Sequence, residues 1–176
     1  MKKRMIFIAA VALMMMAVFG LQVKAQDLDT QYAKELLKPG TTAPDFTLTT
    51  PAGKKLTLSQ FKGKYVVLDF WASWCPDCRK DAPNLVKAYN QYKDKNVAFV
   101  GVSFDTKKEA WQAAIKQYGI AYHQGSELKK WHDTVVSAKY DIKWIPSIYL
   151  IDPEGKVVLA TVMSEKLFSK LSEVLK

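Results

Sequence analysis

The chain has 176 residues, 49% of them hydrophobic, with 26 Lys and Arg against 17 Asp and Glu, a formal charge of +9. That length supports one domain with a sizeable core and leaves too little for two. Lysines are spread along the chain with acids among them, which describes a solvated, mildly basic surface and argues against a nucleic-acid footprint.

Met1-Lys2-Lys3-Arg4 opens the chain and an apolar run follows from Met5 to Leu21, before Val23-Lys24-Ala25. A basic start, apolar middle and small-residue exit predict a secretory signal peptide over residues 1–25, cut after Ala25. An uncleaved membrane anchor is the alternative, but 17 apolar residues fall short of the ~20 that a spanning helix needs. No Cys follows the run, so lipid attachment there is excluded. Losing Lys2, Lys3, Arg4 and Lys24 lowers the formal charge by four, to +5. The expected location is therefore extracytoplasmic, periplasmic in a cell with two membranes.

Residues 26–42 read as a lead-in holding one helical turn, ahead of a domain over 43–176. Phe46–Thr49 and Lys55–Leu58 alternate in the manner of strands around Thr50-Pro51-Ala52-Gly53, which predicts a hairpin. Ser59–Gly63 predicts a short helical turn capped by Ser59. Lys64–Trp71 is a buried strand, apolar except at Asp69 and its first residues. Leu85, Val86, Tyr89 and Tyr92 give a helix from Pro76 to about Tyr92, with a kink expected at Pro83. Val97–Ser103 is a second buried strand. A helix over Lys107–Tyr118 stops at Gly119, and a less regular helix is expected over Glu127–Tyr140. Ser147–Ile151 and Lys156–Val162 flank the turn Asp152-Pro153-Glu154-Gly155, and a helix on Leu167, Phe168, Leu171 and Val174 closes the chain. Strands alternating with helices predict an α/β fold with a mixed central sheet flanked by helices.

Cys75 and Cys78 are the only cysteines in the chain, and they lie between a strand and a helix. A cysteine delivered to a helix start meets unpaired backbone N–H groups and the positive end of the helix dipole, which favour thiolate. A second cysteine one turn on is placed to attack a mixed disulfide formed by the first. A structural staple is disfavoured, because closing so short a loop removes little unfolded-state entropy. Zinc needs about four ligands, and His123 and His132 stand at unrelated spacing. Haem attachment needs His after the second cysteine, where Arg79 stands. No metal and no cofactor are expected. Asp69, in an apolar strand, should have a raised pKa unless it reaches solvent at the strand end.

Asp69-Phe70-Trp71-Ala72-Ser73-Trp74-Cys75-Pro76-Asp77-Cys78 resembles the active-site segment of thioredoxins, differing mainly between the cysteines. Pro83 stands where thioredoxins kink their active-site helix, and Trp144-Ile145-Pro146-Ser147 resembles the loop that holds the family's cis-proline. Ala43-Pro44-Asp45-Phe46 with its hairpin, and a helical insert between about 105 and 140, are similar to the exported thiol-disulfide oxidoreductases. These have a peroxiredoxin-like frame and a thioredoxin-like active site. The resemblance implies a thioredoxin-like fold, Cys75 as exposed nucleophile, Cys78 as the deeper resolving cysteine, and Asp69 as its proton acceptor. It further implies a substrate site at Trp74, the backbone of Ile145 and a cis Pro146, with Pro76 and Asp77 modulating the dithiol. Trp71 is assigned to the core, Trp111 and Trp131 to packing, and Trp144 to packing or the groove wall.

Two departures bear on function. Peroxiredoxins carry Thr three residues before their peroxidatic Cys, where Ala72 stands here. Exported members serving cytochrome c maturation often lack an acid at the position of Asp69. Asp77, at ~7 Å, raises the energy of a Cys75 thiolate by roughly 0.6–2.4 kcal/mol for effective dielectrics of 80 to 20. The helix terminus supplies about 0.3–2 kcal/mol in the opposite sense. A moderately stabilised thiolate points to a reductant, since strong oxidants owe their potential to a strongly stabilised reduced form. The expected activity is exchange with disulfide-bonded protein substrates, recharged by a membrane-embedded thiol electron donor. A thiol peroxidase, and a binding module with an incidental disulfide, are the alternatives.

Overall fold

The computed structural model describes residues 27–175, so the signal peptide expected over 1–25 lies outside the described residues. One sheet of seven strands organises them. In chain order come helix α1 (Asp29–Tyr32), the hairpin β1 (Thr47–Thr49) and β2 (Lys55–Thr57), then a 3-10 turn (Leu58–Phe61). Strand β3 (Tyr65–Trp71) leads into helix α2 (Pro76–Tyr92), followed by β4 (Val97–Ser103), α3 (Lys108–Tyr118) and β5 (His123–Ser126). A second 3-10 turn (Trp131–Asp133), α4 (Val135–Lys139), the hairpin β6 (Ser147–Ile151) and β7 (Val157–Thr161), and α5 (Ser164–Val174) complete the order.

Across the sheet the strands run β2-β1-β5-β4-β3-β6-β7. β3, β4 and β5 are parallel, and β6 and β7 continue the sheet antiparallel beyond β3. The hairpin β1–β2 joins the other edge, antiparallel to β5. This is the mixed, helix-flanked α/β sheet that the sequence predicts.

Strand alternation divides the core. On one face Phe70 packs among Phe104, Tyr140 and Tyr149, all buried. On the other, Phe99 lies against Tyr89 of α2 and against Tyr122. α2 also packs against α3 and α5. The lead-in is tied to this frame: Leu36 is buried, and the Leu37 N–H donates to Tyr149 Oη at 3.1 Å.

One strand is absent from the sequence-based element order, and two local expectations are corrected. β5 carries no apolar alternation, yet Gln124, Gly125 and Ser126 are buried in the sheet. Polar side chains take their partners inside: Ser126 Oγ donates to the Ser103 carbonyl at 2.8 Å, and Gln124 Oε1 accepts from Trp71 Nε1 at 3.0 Å. A hydropathy period therefore has nothing to detect. The helix expected over Glu127–Tyr140 breaks up because Leu128 adopts φ 52° and Glu127 turns its carboxylate onto the N–H groups of Val135 and Val136. What remains is a 3-10 turn and the five residues of α4. Finally, the turn after β2 is capped by Thr57, whose N–H donates to Gln60 Oε1 at 3.2 Å, and not by Ser59.

Gly101, in the middle of β4, is required by close approach: a Cβ there would fall inside the Gln124 amide. Gly101→Ala should cost roughly 1–3 kcal/mol in urea unfolding, and less in a Gln124→Ala background where the obstruction is gone. Equal costs in the two backgrounds would contradict the packing described.

Candidate active site

The carboxyl end of β3 feeds directly into α2, and Cys75 is the residue that caps that helix. Its backbone is extended (φ −79°, ψ 118°), Pro76 occupies the first helical position, and the Cys75 carbonyl accepts from the Arg79 N–H at 3.1 Å. Cys75 Sγ accepts from the Cys78 N–H at 3.1 Å, as a Ser or Asp oxygen does in an ordinary cap. Cys75 and Cys78 are joined in a disulfide.

Both cysteines are almost equally covered, Cys75 at 4% and Cys78 at 3% exposure, which corrects the expectation of an exposed first sulfur and a deeper second one. The loop before β6 supplies part of the cover: the Ile145 carbonyl oxygen lies 3.6 Å from Cys75 Sγ, and the Ile145–Pro146 peptide is cis. Trp74 stands beside them at 52% exposure, whereas Trp71 is buried and bonded to Gln124. Trp111 is buried, and Trp131 stacks against Phe104. Trp144 stacks on Tyr32 of α1 with ring centroids 4.1 Å apart. His123 and His132 are exposed and lie against Phe61 and Trp131. Asp77 points outward and pairs loosely with Lys80 at 3.5 Å.

Asp69 does not reach solvent: it is 6% exposed and its Oδ2 accepts from Tyr122 Oη at 2.9 Å. Burial pushes its pKa up to about 7, Tyr122 holds it down in part, and the negative charge of Asp81 pushes it further up. Asp69, Cys78, Asp81, Trp71 and Pro146 share the walls of a crevice of about 10 Å³, the room of a single water.

Four further side chains around the site were missed by sequence reasoning, and only Asp81 offers a signal there. Asp81 lies one turn beyond Cys78, so i,i+3 spacing was its one available signal. Its Oδ1 accepts from Ser164 Oγ and Asn84 Nδ2, its Oδ2 is buried without a partner among the described residues, and burial raises its pKa. Tyr122 reaches Asp69 from the loop before β5. Gln124 ties Trp71 to β5. Asp105, 2% exposed, accepts from the Ser73 N–H at 3.0 Å, from Ser73 Oγ at 2.5 Å and from Ser103 Oγ at 2.8 Å. It thereby fixes the turn that carries Trp74 and Cys75. Among the described residues, no three His, Cys, Asp or Glu side chains gather as a metal site would require.

The arrangement is a disulfide at a helix terminus with a buried acid behind it, and the chain has relatives named as thiol-disulfide oxidoreductases. The family described as AhpC/TSA matches residues 39–160. The thiol-disulfide oxidoreductase ResA of Bacillus subtilis (strain 168) is 37% identical over 125 residues, covering 71% of this chain and 68% of that protein. The thioredoxin domain of a thiol-disulfide oxidoreductase from Bacteroides vulgatus superposes with a TM-score of 0.74 at 37% identity, covering 80% of this chain and 99% of that one. A thiol:disulfide interchange protein DsbE, so described, from Chlorobium tepidum gives 0.72 at 31% identity, with 80% and 99% covered. By sequence and fold, the chain belongs to the AhpC/TSA family and is a thioredoxin-like thiol-disulfide oxidoreductase.

Proposed function

We propose that the protein works outside the cytoplasm as a reductant of protein disulfides. The observation that carries this reading is the sulfur at the cap of α2, with a buried acid sharing a crevice with its partner cysteine. Export is supported by the basic, apolar and small-residue order of residues 1–25.

In the reduced protein the Cys75 thiolate attacks one sulfur of a substrate disulfide and displaces the other as thiolate. Cys78 then gives its proton to Asp69, attacks Cys75 Sγ and breaks the mixed disulfide, releasing the second substrate thiolate. Two electrons pass to the substrate, the proton remains on Asp69, and the Cys75–Cys78 bond is restored. A carboxyl with a pKa of about 7 is matched to taking and returning a proton near neutrality. Trp74 and the backbone of Ile145 present the substrate strand, in the manner of an added β-strand. Pro76 starts the helix, and Asp77 moderates the thiolate. Recharging in an oxidising compartment calls for a thiol donor held in the membrane.

The direction of electron flow follows from how the thiolate is held. One backbone N–H and the helix terminus favour it, while Asp77 in the first turn opposes, blunted by Lys80. That balance supports a potential near the thioredoxin value of about −270 mV and far from the about −120 mV of a strong oxidant. Equilibration with dithiothreitol buffers measures it; a value near −120 mV would reverse the assignment. Cys75→Ser should abolish insulin reduction, and Cys78→Ser should accumulate mixed disulfides with protein partners. Activity retained in the first variant would remove Cys75 as the nucleophile.

Asp69 links catalysis to stability. Unfolded, it ionises near 3.8; folded, near about 7. Between those values the native state binds the extra proton, so stability falls as pH rises, by up to about 1.4 kcal/mol per pH unit, and levels off above about 7. Asp69→Asn should abolish this slope and slow resolution roughly 10-fold or more. Tyr122→Phe should move the midpoint of the pH–rate profile upward, because it deletes the hydrogen bond that lowers the Asp69 pKa. A profile left unmoved by both changes would rule out Asp69 as the acceptor.

A further inference from the structure

α1 is four residues long and none of them is buried, so burial of its own side chains does not explain its place on the domain. It is nevertheless held firmly. Asp29 accepts from Thr161 Oγ1 and the Val162 N–H, each at 2.8 Å, where β7 passes into α5. Lys166 of α5 bridges Asp27 at 2.7 Å and Asp29 at 2.6 Å. These anchors set α1 across a groove from α2, the helix whose start carries the disulfide. There Tyr32 stacks on Trp144, and Leu28 stands at 39% exposure with no place in the core.

Between α1 and α2 runs an open groove of about 490 Å³, walled by Leu28, Tyr32 and Trp144 and meeting the active site at Asp77 and Pro146. Pro146 follows Ile145, whose carbonyl lies beside Cys75 Sγ, so the groove starts where a substrate strand would leave the sulfur. A substrate strand continuing past Pro146 enters this groove and meets the Tyr32–Trp144 stack. The ionisable groups lining the groove are Asp77, Glu165, Lys80 and the partly buried Asp81, whose pKa burial raises; Lys80 pairs with Asp77, and the exposed acids are Asp77 and Glu165.

We infer that the lead-in is a specificity element: Leu28 and Tyr32, with Trp144, bind the segment flanking the substrate cysteine and select an apolar or aromatic residue there, followed by a basic one. This rests on the reading of the protein as an exchanger of protein disulfides. It adds a wall contributed by residues outside the strand–helix site. The occupant is an extended, disulfide-bearing stretch of a partner protein, its apolar side chain covering Leu28 and the ring stack and its cation facing the acids.

Two synthetic peptides with the same internal disulfide test this, one with Phe-Lys after its first cysteine and one with Ser-Glu. Exchange is followed in both directions with wild type, Leu28→Ser and Tyr32→Ala. Wild type should prefer the Phe-Lys peptide by about tenfold or more, through KM. Both variants should raise KM for that peptide several-fold, leave kcat for it unchanged, and leave KM for the Ser-Glu peptide and the Cys75–Cys78 potential where they were. Leu28→Ser alters an exposed side chain and so keeps the test valid should Tyr32→Ala unfold. Equal KM for the two peptides in wild type, or a preference that persists in Leu28→Ser, overturns the proposal. Exchange with hydroxyethyl disulfide but with neither peptide overturns the protein-substrate reading itself, and this proposal with it.

Discussion

A sulfur atom occupies the position that a hydroxyl or carboxylate oxygen holds in most helix caps, and the chemistry of the molecule depends on that exchange. The Cys75 cap places Sγ over the Cys78 N–H and within the field of α2. In the disulfide form this contact helps to start the helix; carried over to the proposed reduced form, it would favour thiolate. Much of the surrounding structure keeps that cap in register. Asp105 grips Ser73, Gln124 grips Trp71, and the Ile145 carbonyl closes over Cys75 from the opposite side.

The site is asymmetric behind that cap. Cys78 shares its crevice with two acids, Asp69 and Asp81, whose pKa values are both raised by burial. Holding two carboxyls beside one crevice disfavours ionising both. Tyr122 partly offsets this for Asp69, and Ser164 and Asn84 do so for Asp81. The protein thus holds beside Cys78 a carboxyl that exchanges its proton near neutrality, at the expense of stability there.

Much of this was legible in the sequence, because the chemistry is concentrated in one continuous segment. The cysteine pair, the acid inside the apolar strand β3 and the strand–helix order lie within residues 65–92, and the edge hairpins carry explicit turn residues. What escaped did so for identifiable physical reasons. β5 is built from His, Gln, Gly and Ser, and the burial of its Gln124 and Ser126 depends on partners in β4, β3 and α3 that only the folded chain supplies. Glu127 caps α4 from eight residues upstream, so no local pattern marks it. Tyr122 and Asp105 meet the site across sequence separations of 53 and 32 residues. The cover over Cys75 comes partly from the loop before β6, whose position beside the disulfide is a property of the tertiary fold.

The central claim is that the helix cap makes Cys75 the reactive sulfur. Its most direct test is the pH dependence of alkylation of the reduced protein by iodoacetamide, with each cysteine assigned by mass spectrometry. The account predicts that Cys75 is modified first, with a midpoint clearly below the ~8.5 of a free thiol, while Cys78 resists until higher pH. Modification of Cys78 first, or a Cys75 midpoint at or above that of a free thiol, would contradict it.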